Sequence, residues 1–310
     1  MSICRVCSKE FESEAALHKH IKAHKLLLAE YFQSYYPRYD KHSGEMIHWT
    51  NLEQYLKSDF NSRENLKLWL EKTELSIARN YCKEMLVQRK QTKNLIWSPT
   101  QVELRASMSP PVQWFNAAFE DYYCLCDEIG FKNRFEKFEK WEPSIKLDKR
   151  MKIFTDSREQ QPYSFSSVKT EVKGLKYADY VFSNAEWSGK IAVERKSLND
   201  FIGTISKGYE RFGREIEKSI KDEAYLIIIV EETLSNAISF KSLPYLSKKI
   251  QASPEFIFHR VRELLQKYQN IQFLFAPGHK AAGEIVERLF SLGAQIKKFD
   301  LQLLFDVKKL

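Results

Sequence analysis

Glycine and proline are scarce in this chain, with 10 and 9 among 310 residues. Such scarcity favours long regular elements over a loop-rich fold. Long apolar runs are missing as well. The longest, Leu226–Val230, is far too short to cross a bilayer, so no membrane-spanning helix is expected. No apolar stretch follows the opening Met-Ser-Ile-Cys-Arg, so no secretory signal is expected either. Cysteine is limited to five residues, an odd number: Cys4, Cys7, Cys82, Cys124 and Cys126. An odd count without a leader points to a reducing compartment, where thiols pair through a metal if at all. The expected location is intracellular, cytoplasmic in a bacterium or phage and nuclear in a eukaryote.

The chain holds 43% hydrophobic and 29% charged residues, the composition of a globular protein long enough for about two domains. Lys and Arg number 49 against 41 Asp and Glu, a net charge of +8 that favours an anionic partner. That excess sits at one end. Residues 150–310 carry 26 basic and 20 acidic side chains, whereas residues 25–149 carry 19 and 18.

Three of the thiols, Cys82, Cys124 and Cys126, lie in apolar helical stretches and read as buried residues. Cys4 and Cys7 are different. The run continues to Phe11, Leu17, His20 and His24. Thiols two residues apart fit a tight turn, and imidazoles at i and i+4 share one helix face. All four can close a tetrahedron around one structural Zn²⁺, with Phe11 and Leu17 as a small core. Residues 1–25 thus resemble a C2H2 zinc finger, which implies a ββα fold. In that register the base-reading positions fall on Ser13, Ala16 and Lys19. Alanine offers no hydrogen bond, serine pairs with either a donor or an acceptor, and Lys19 is a candidate DNA contact. A single finger spans roughly 3 base pairs, so docking to DNA or to protein is expected in place of site reading.

Residues 26–149 read as a mainly helical segment that links the two ends and adds DNA contacts. Aromatic residues crowd Tyr31–Tyr39, a stretch that ends in a proline turn, and Asp40–Gly44 reads as the loop that follows. Leu52, Tyr55, Leu56, Phe60, Leu66, Trp69, Leu70, Leu75 and Ile77 recur at helical spacing, and one apolar helix is expected from about Val112 to Ile129. Trp141-Glu-Pro143-Ser marks the boundary before the next domain.

From residue 150 short apolar strands alternate with amphipathic helices, the texture of an α/β layer fold. Strands are expected at Met151–Thr155, Tyr180–Ala185, Lys190–Arg195, Tyr225–Val230 and Ile271–Phe275. Trp187-Ser-Gly189 signals a hairpin turn between the second and third. Helices are expected over Ser197–Lys221, Pro254–Gln269 and His279–Leu292. Glu194 and Lys196 point to one face of their strand and Arg195 to the other. The hairpin brings Asp179 back toward Glu194. Two converging carboxylates make a hard-oxygen site for Mg²⁺ or Mn²⁺. A neighbouring lysine can orient or deprotonate water, or offset phosphorane charge.

The ordered set Asp156-x2-Glu159, Ala178-Asp179, Glu194-Arg195-Lys196-x3-Asp200 resembles the XPF-type nuclease domain of the PD-(D/E)xK superfamily. The resemblance covers about residues 150–295. It implies a three-layer, restriction-endonuclease-like fold with a central mixed sheet, and a metal-dependent DNA endonuclease activity on flap, fork or nicked DNA. It implies that Asp179 and Glu194 bind magnesium and Lys196 is catalytic, with Asp156, Glu159 and Arg195 completing the shell. Asp200 is read both as a member of that shell and as part of a helix cap. Arg211 and Arg214 are candidate phosphate contacts on a basic-aromatic helix. Two departures stand out: Ala178 replaces the family's glycine, a mild change on the sequence alone, and no tandem helix-hairpin-helix module precedes Leu310. The second leaves junction specificity open, along with a homodimer or a partner protein docked through the nuclease domain or the finger. The rival readings are a site-preferring enzyme of restriction or homing type and a non-catalytic DNA-binding scaffold.

Overall fold

A computed structural model describes residues 2–36, 74–107, 110–137, 151–183, 191–246 and 250–310. The aromatic turn at 37–39, the loop at 40–44, the helical periodicity of 52–70, the boundary at 141–144 and the turn at 187–189 lie outside these residues. The chain divides into two compact units, residues 1–88 with 108–110, and residues 89–107 with 111–310.

In the first unit, strands β1 (Ser2–Ile3) and β2 (Glu10–Phe11) pair antiparallel, with Ser2 opposite Phe11. Helix α1 (Glu14–Ile21) follows, started by Ser13, whose hydroxyl accepts the Ala16 N–H at 3.3 Å. The order is ββα. Its core runs on past residue 25. Helix α2 (Leu28–Tyr35) lays Tyr31 onto Cys4, Leu17 and Ile21, with Phe11, Leu26 and Phe32 packed around them. The Arg5 N–H donates to the buried Tyr31 hydroxyl at 2.9 Å, so this docking satisfies its one polar group. Helix α3 spans Leu75–Lys93, its last five residues counted with the second unit, and Cys82 is buried as expected.

The second unit begins with α4 (Gln101–Ala106), α5 (Val112–Phe119) and α6 (Tyr122–Ile129). One helix was expected over Val112–Ile129, and two are found. Glu120 adopts a left-handed φ of 69°, and the Asp121 carboxylate accepts the N–H groups of Tyr123 at 2.8 Å and Cys124 at 3.3 Å. An aspartate so placed starts a new helix in a new direction. Cys126 is buried on α6, but Cys124 falls on its outer face and is exposed, which corrects the expectation for that thiol.

The sheet contains β3 (Lys152–Asp156), β4 (Lys169–Lys173), β5 (Tyr180–Ser183) and β6 (Ile191–Lys196). Helices α7 (Leu198–Ser206) and α8 (Tyr209–Lys221) precede β7 (Tyr225–Val230), and short α9 (Leu234–Ala237) and α10 (Pro254–Lys267) precede β8 (Ile271–Phe275). Helices α11 (His279–Leu292) and α12 (Leu301–Asp306) close the chain. Strand order is β4-β3-β5-β6-β7-β8. The β3–β5 and β5–β6 pairs are antiparallel and the other three are parallel, so the sheet is mixed.

Side-chain alternation divides the core between the two faces. Ala192, Leu226, Ile228, Val230 and Phe273 pack with α7, α8 and α10. Ile191, Val193, Ile227, Ile229 and Leu274 pack with α11 and α12. The central strand β7, Tyr-Leu-Ile-Ile-Ile-Val, is buried throughout, as a strand covered on both faces must be. Three layers result, as expected.

Two details differ from expectation. The edge strand β4, Lys-Thr-Glu-Val-Lys, is fully exposed and therefore carries no apolar signal. The helix expected over Ser197–Lys221 is broken into α7 and α8 at Gly208, where a Cβ would lie 3.1 Å from the Thr204 carbonyl oxygen.

Helix α4 builds onto the same body. The Gln101 N–H donates to Asp300 Oδ2 at 2.7 Å, and Arg105 Nη1 reaches both Asp306 oxygens at 2.9 and 2.8 Å. Gln266 Oε1 accepts the N–H groups of Ile96 and Trp97 at 3.1 and 3.0 Å. Asp300 is fully buried, so its carboxylate depends on the α4 partner as much as α4 depends on it.

Candidate active site

Strand register assembles the site. Thr155 lies opposite Tyr180, and Tyr180 opposite Val193. Carried one residue further, the same register sets Asp156, Asp179 and Glu194 in one row across β3, β5 and β6. The Asp156 N–H donates to the Asp179 carbonyl at 2.8 Å, and the Asp179 N–H to the Val193 carbonyl at 3.0 Å. One row means one face, so the three acids stand on the same side of the sheet where the apolar strands end.

Each acid has a different environment. Asp156 is 3% exposed and clasped by Arg158, through its N–H at 3.0 Å and its Nε at 3.1 and 3.0 Å. The Arg158 guanidinium holds this carboxyl below its usual range. Burial, and then the Glu194 charge, push Asp179 up to about 7. Burial also pushes Glu194 up, against the pull of Lys196. Lys196 Nζ pairs with Glu194 Oε1. Burial pulls Lys196 down, but Glu194 more than offsets it, and the ammonium form is favoured. The Arg195 N–H donates to Asp179 Oδ2 at 2.7 Å.

Asp156, Asp179 and Glu194 open onto a cleft of about 740 Å³, whose lining does not include Lys196. Asp156, Glu159, Asp179, Glu194, Arg195 and Asp200 all line it, so most of the acidic set expected from the sequence is brought together. Asp200 is exposed and reciprocally bonded to Ser197, whose hydroxyl donates to Asp200 Oδ2 at 2.7 Å and accepts the Asp200 N–H at 3.1 Å. It therefore caps α7 while facing the cleft. Arg211 and Arg214 are exposed on α8 and do not line the cleft, and Arg211 lies 3.7 Å from Glu215. Glu215 and Lys218 of the same helix do line it, together with Lys176 and Arg158. Sequence reasoning passed over those four, although one turn along α8 separates Arg211 and Arg214 from Glu215 and Lys218.

Ala178, the residue before Asp179, has φ 62° and is buried. Replacement of glycine here is therefore not mild: the backbone is left-handed, at a cost of about 1–2 kcal/mol for a residue with Cβ. A β-branched side chain makes that conformation worse. Ala178→Val is expected to lower unfolding free energy by at least about 2 kcal/mol, read in a denaturant titration. An unchanged midpoint would remove the strain argument.

In the first unit, the ligand atoms of Cys4, Cys7, His20 and His24 all lie within 4.8 Å of one another. Cys4 Sγ is 3.5 Å from His24 Nε2, Cys7 Sγ is 3.1 Å from His20 Nε2, and the two Nε2 atoms are 3.0 Å apart. Bonds of about 2.0–2.3 Å to one tetrahedral ion suit such spacings. Burial raises the Cys4 thiol, yet the N–H groups of Cys7 and Val6 bring it below its usual value, which favours thiolate. Burial and then His24 lower His20, which favours the neutral ligand form. Lys19 is exposed on α1. Ser13 is committed to capping.

The ERCC4 domain family matches residues 155–289. This match supports the XPF-type nuclease resemblance from the end of β3 into α11. Among solved structures, XPF from Aeropyrum pernix is 21% identical, with a TM-score of 0.34, covering 49% of this chain and 71% of that one. XPF from Aeropyrum pernix in complex with DNA is 22% identical, also at 0.34, covering 51% and 74%. No curated protein matches the chain. Among the described residues, no helix is long and apolar enough to cross a membrane.

Proposed function

We propose that this protein is a divalent-metal-dependent DNA endonuclease that prefers flap, fork or nicked DNA, with an N-terminal zinc finger for docking. The observation that carries the reading is the row Asp156, Asp179, Glu194 beside Lys196 at the mouth of a cleft within the ERCC4-matching segment. The donor set fits Mg²⁺ or Mn²⁺. Arg195 engages one oxygen of Asp179 and Lys196 one oxygen of Glu194, so each carboxylate keeps a second oxygen for a hard cation. When bound, the ion supplies a Lewis acid for the scissile phosphate and lowers the pKa of a bound water.

The remaining work falls to side chains. Lys196, held as an ammonium by Glu194, offsets charge that grows on the phosphate oxygens; a protonated lysine does not act as base. Asp156 is locked in its ionised form by Arg158 and supports the row from the β3 side. Arg158, Lys176 and Lys218 around the cleft counter the acids and admit a phosphate backbone. In the finger, Cys4, Cys7, His20 and His24 would hold Zn²⁺, which cross-links a core too small to close alone. With Ser13 engaged in the cap and Ala16 mute, the finger contributes affinity without reading bases.

One panel tests the function: labelled linear duplex, nicked, flap, fork and single-stranded DNA, with Mg²⁺, Mn²⁺, Ca²⁺ or EDTA. Cleavage of branched or nicked substrates is expected in Mg²⁺ and Mn²⁺. Ca²⁺, with looser coordination, is expected to support binding without turnover. Robust cleavage in excess EDTA would contradict the carboxylate site, and cuts at fixed positions in linear duplex would favour a site-preferring enzyme.

A further inference from the structure

Behind the row of acids, Arg195 of the Glu-Arg-Lys motif pairs with acids from outside it. Glu231 directly follows β7, and its N–H donates to the Lys196 carbonyl at 2.9 Å. Its carboxylate receives Arg195 in a two-bond fork, Nε to Oε1 at 2.7 Å and Nη2 to Oε2 at 2.8 Å. Both side chains are withdrawn from water, at 13% exposure for Arg195 and 9% for Glu231. His279, the first residue of α11, places Nδ1 2.6 Å from Glu231 Oε1. By comparison Glu159 reaches Arg195 through one contact of 3.4 Å, and Gln161 through one of 3.2 Å.

The side chain of Arg195 leaves β6 on the face opposite Glu194 and Lys196, while its main-chain N–H donates to Asp179 Oδ2. One residue therefore joins the buried pair to the carboxylate row. We propose that Glu231 is a positioning residue: by gripping Arg195 it fixes the peptide whose N–H orients the Asp179 carboxylate toward the cation. The fork geometry fixes both translation and rotation of the guanidinium, which a single contact does not. Ion pairs of this depth lose their function when one partner is neutralised, since the other charge is left buried. The proposal rests on the nuclease reading for its catalytic consequence, and on geometry alone for its structural one.

The full-length chain tests it through Glu231→Gln and Glu231→Asp. Single-turnover cleavage is measured with saturating enzyme, DNA affinity in Ca²⁺, and hydrogen exchange at the Arg195 amide without metal. Glu231→Gln is expected to slow cleavage by about 10- to 100-fold, the usual effect of losing an outer-shell partner, with DNA affinity within about twofold of wild type. The Arg195 amide should exchange about tenfold faster as its hold on Asp179 loosens. Glu231→Asp keeps the charge one methylene shorter and should recover part of both. In a double variant, Arg195→Gln with Glu231→Gln should cleave no more slowly than Arg195→Gln alone. Wild-type cleavage by Glu231→Gln, an unchanged Arg195 amide, or losses that multiply in the double variant would each overturn the proposal. If Glu231→Gln fails to fold, Glu231→Asp carries the same three measurements. A wild type that cuts no DNA would sink the nuclease reading, while amide exchange would still decide the role of Glu231.

Discussion

Asp179→Asn is expected to lower cleavage by about 10³-fold or more while leaving DNA affinity and folding intact. The carboxylate stands between Asp156 and Glu194 in the row and, like Glu194, keeps one oxygen that a cation would take. Losing a ligand of the ion that stabilises both attacking and leaving oxygens costs several kcal/mol at the transition state, and each 1.36 kcal/mol is tenfold in rate. Asparagine is isosteric and its Oδ1 still accepts the Arg195 N–H. Affinity rests on phosphate contacts spread along the strand, so it should hold or improve as acid–phosphate repulsion falls. Stability should hold or rise too. Burial and Glu194 push Asp179 up to about 7, above its unfolded value, so ionising it weakens the fold as pH climbs toward 7. The neutral amide lacks that weakening. Rate, affinity and melting temperature measured on one preparation decide the matter. Cleavage within tenfold of wild type would take Asp179 out of the metal site, and a collapsed melting temperature would make its role structural.

The legible parts of this protein are those in which side-chain type and spacing act locally. Cys4, Cys7, His20 and His24 announce themselves by spacing, and their ligand atoms converge. Strand β7 declares its burial through six apolar residues, and Ser253-Pro254 marks the start of α10, with the serine hydroxyl accepting the Phe256 N–H at 3.2 Å. What escapes the sequence depends on partners far along the chain. Strand β4 borrows its order from β3 and needs no apolar residue of its own. The segment around α4 reads as a link because Gln101 and Arg105 find Asp300 and Asp306 some 200 positions later. Glu231 left one usable sign: an acid directly after a buried parallel strand, at the carboxyl end where such sheets place their ligands. The strain at Ala178 left none, since a φ angle is not written in a residue's identity.

Cys7→Ser is expected to unfold residues 2–36 and leave the ERCC4-matching body standing. Zinc binding contributes about 10 kcal/mol or more to a domain of this kind, more than its few buried side chains can replace. Helix α2 enlarges that core with Tyr31, but Tyr31 packs on Cys4 itself, so the same cluster loses its anchor with the metal. The second unit has its own core on both faces of its sheet and holds none of the four Cys/His ligands. Where the chain is cut matters for the matching truncation. A fragment of 150–310 would leave the buried Asp300 carboxylate without the Gln101 N–H and Asp306 without Arg105, and is expected to fold poorly. A fragment of 89–310 keeps both partners and should melt near the temperature of the second unit in the whole chain. Released zinc should fall from one per chain to none in Cys7→Ser, with loss of the dispersed amide signals of residues 2–36. DNA affinity should weaken by about tenfold or more, because the finger is a second contact tethered to the first. Cut positions should stay where they are, since Ser13 is spent on the α1 cap and Ala16 cannot read a base. Dispersed signals that persist without zinc would overturn the metal-closed finger. Unchanged affinity would turn the finger toward a protein partner, and cut sites that scatter would mean that it reads sequence after all.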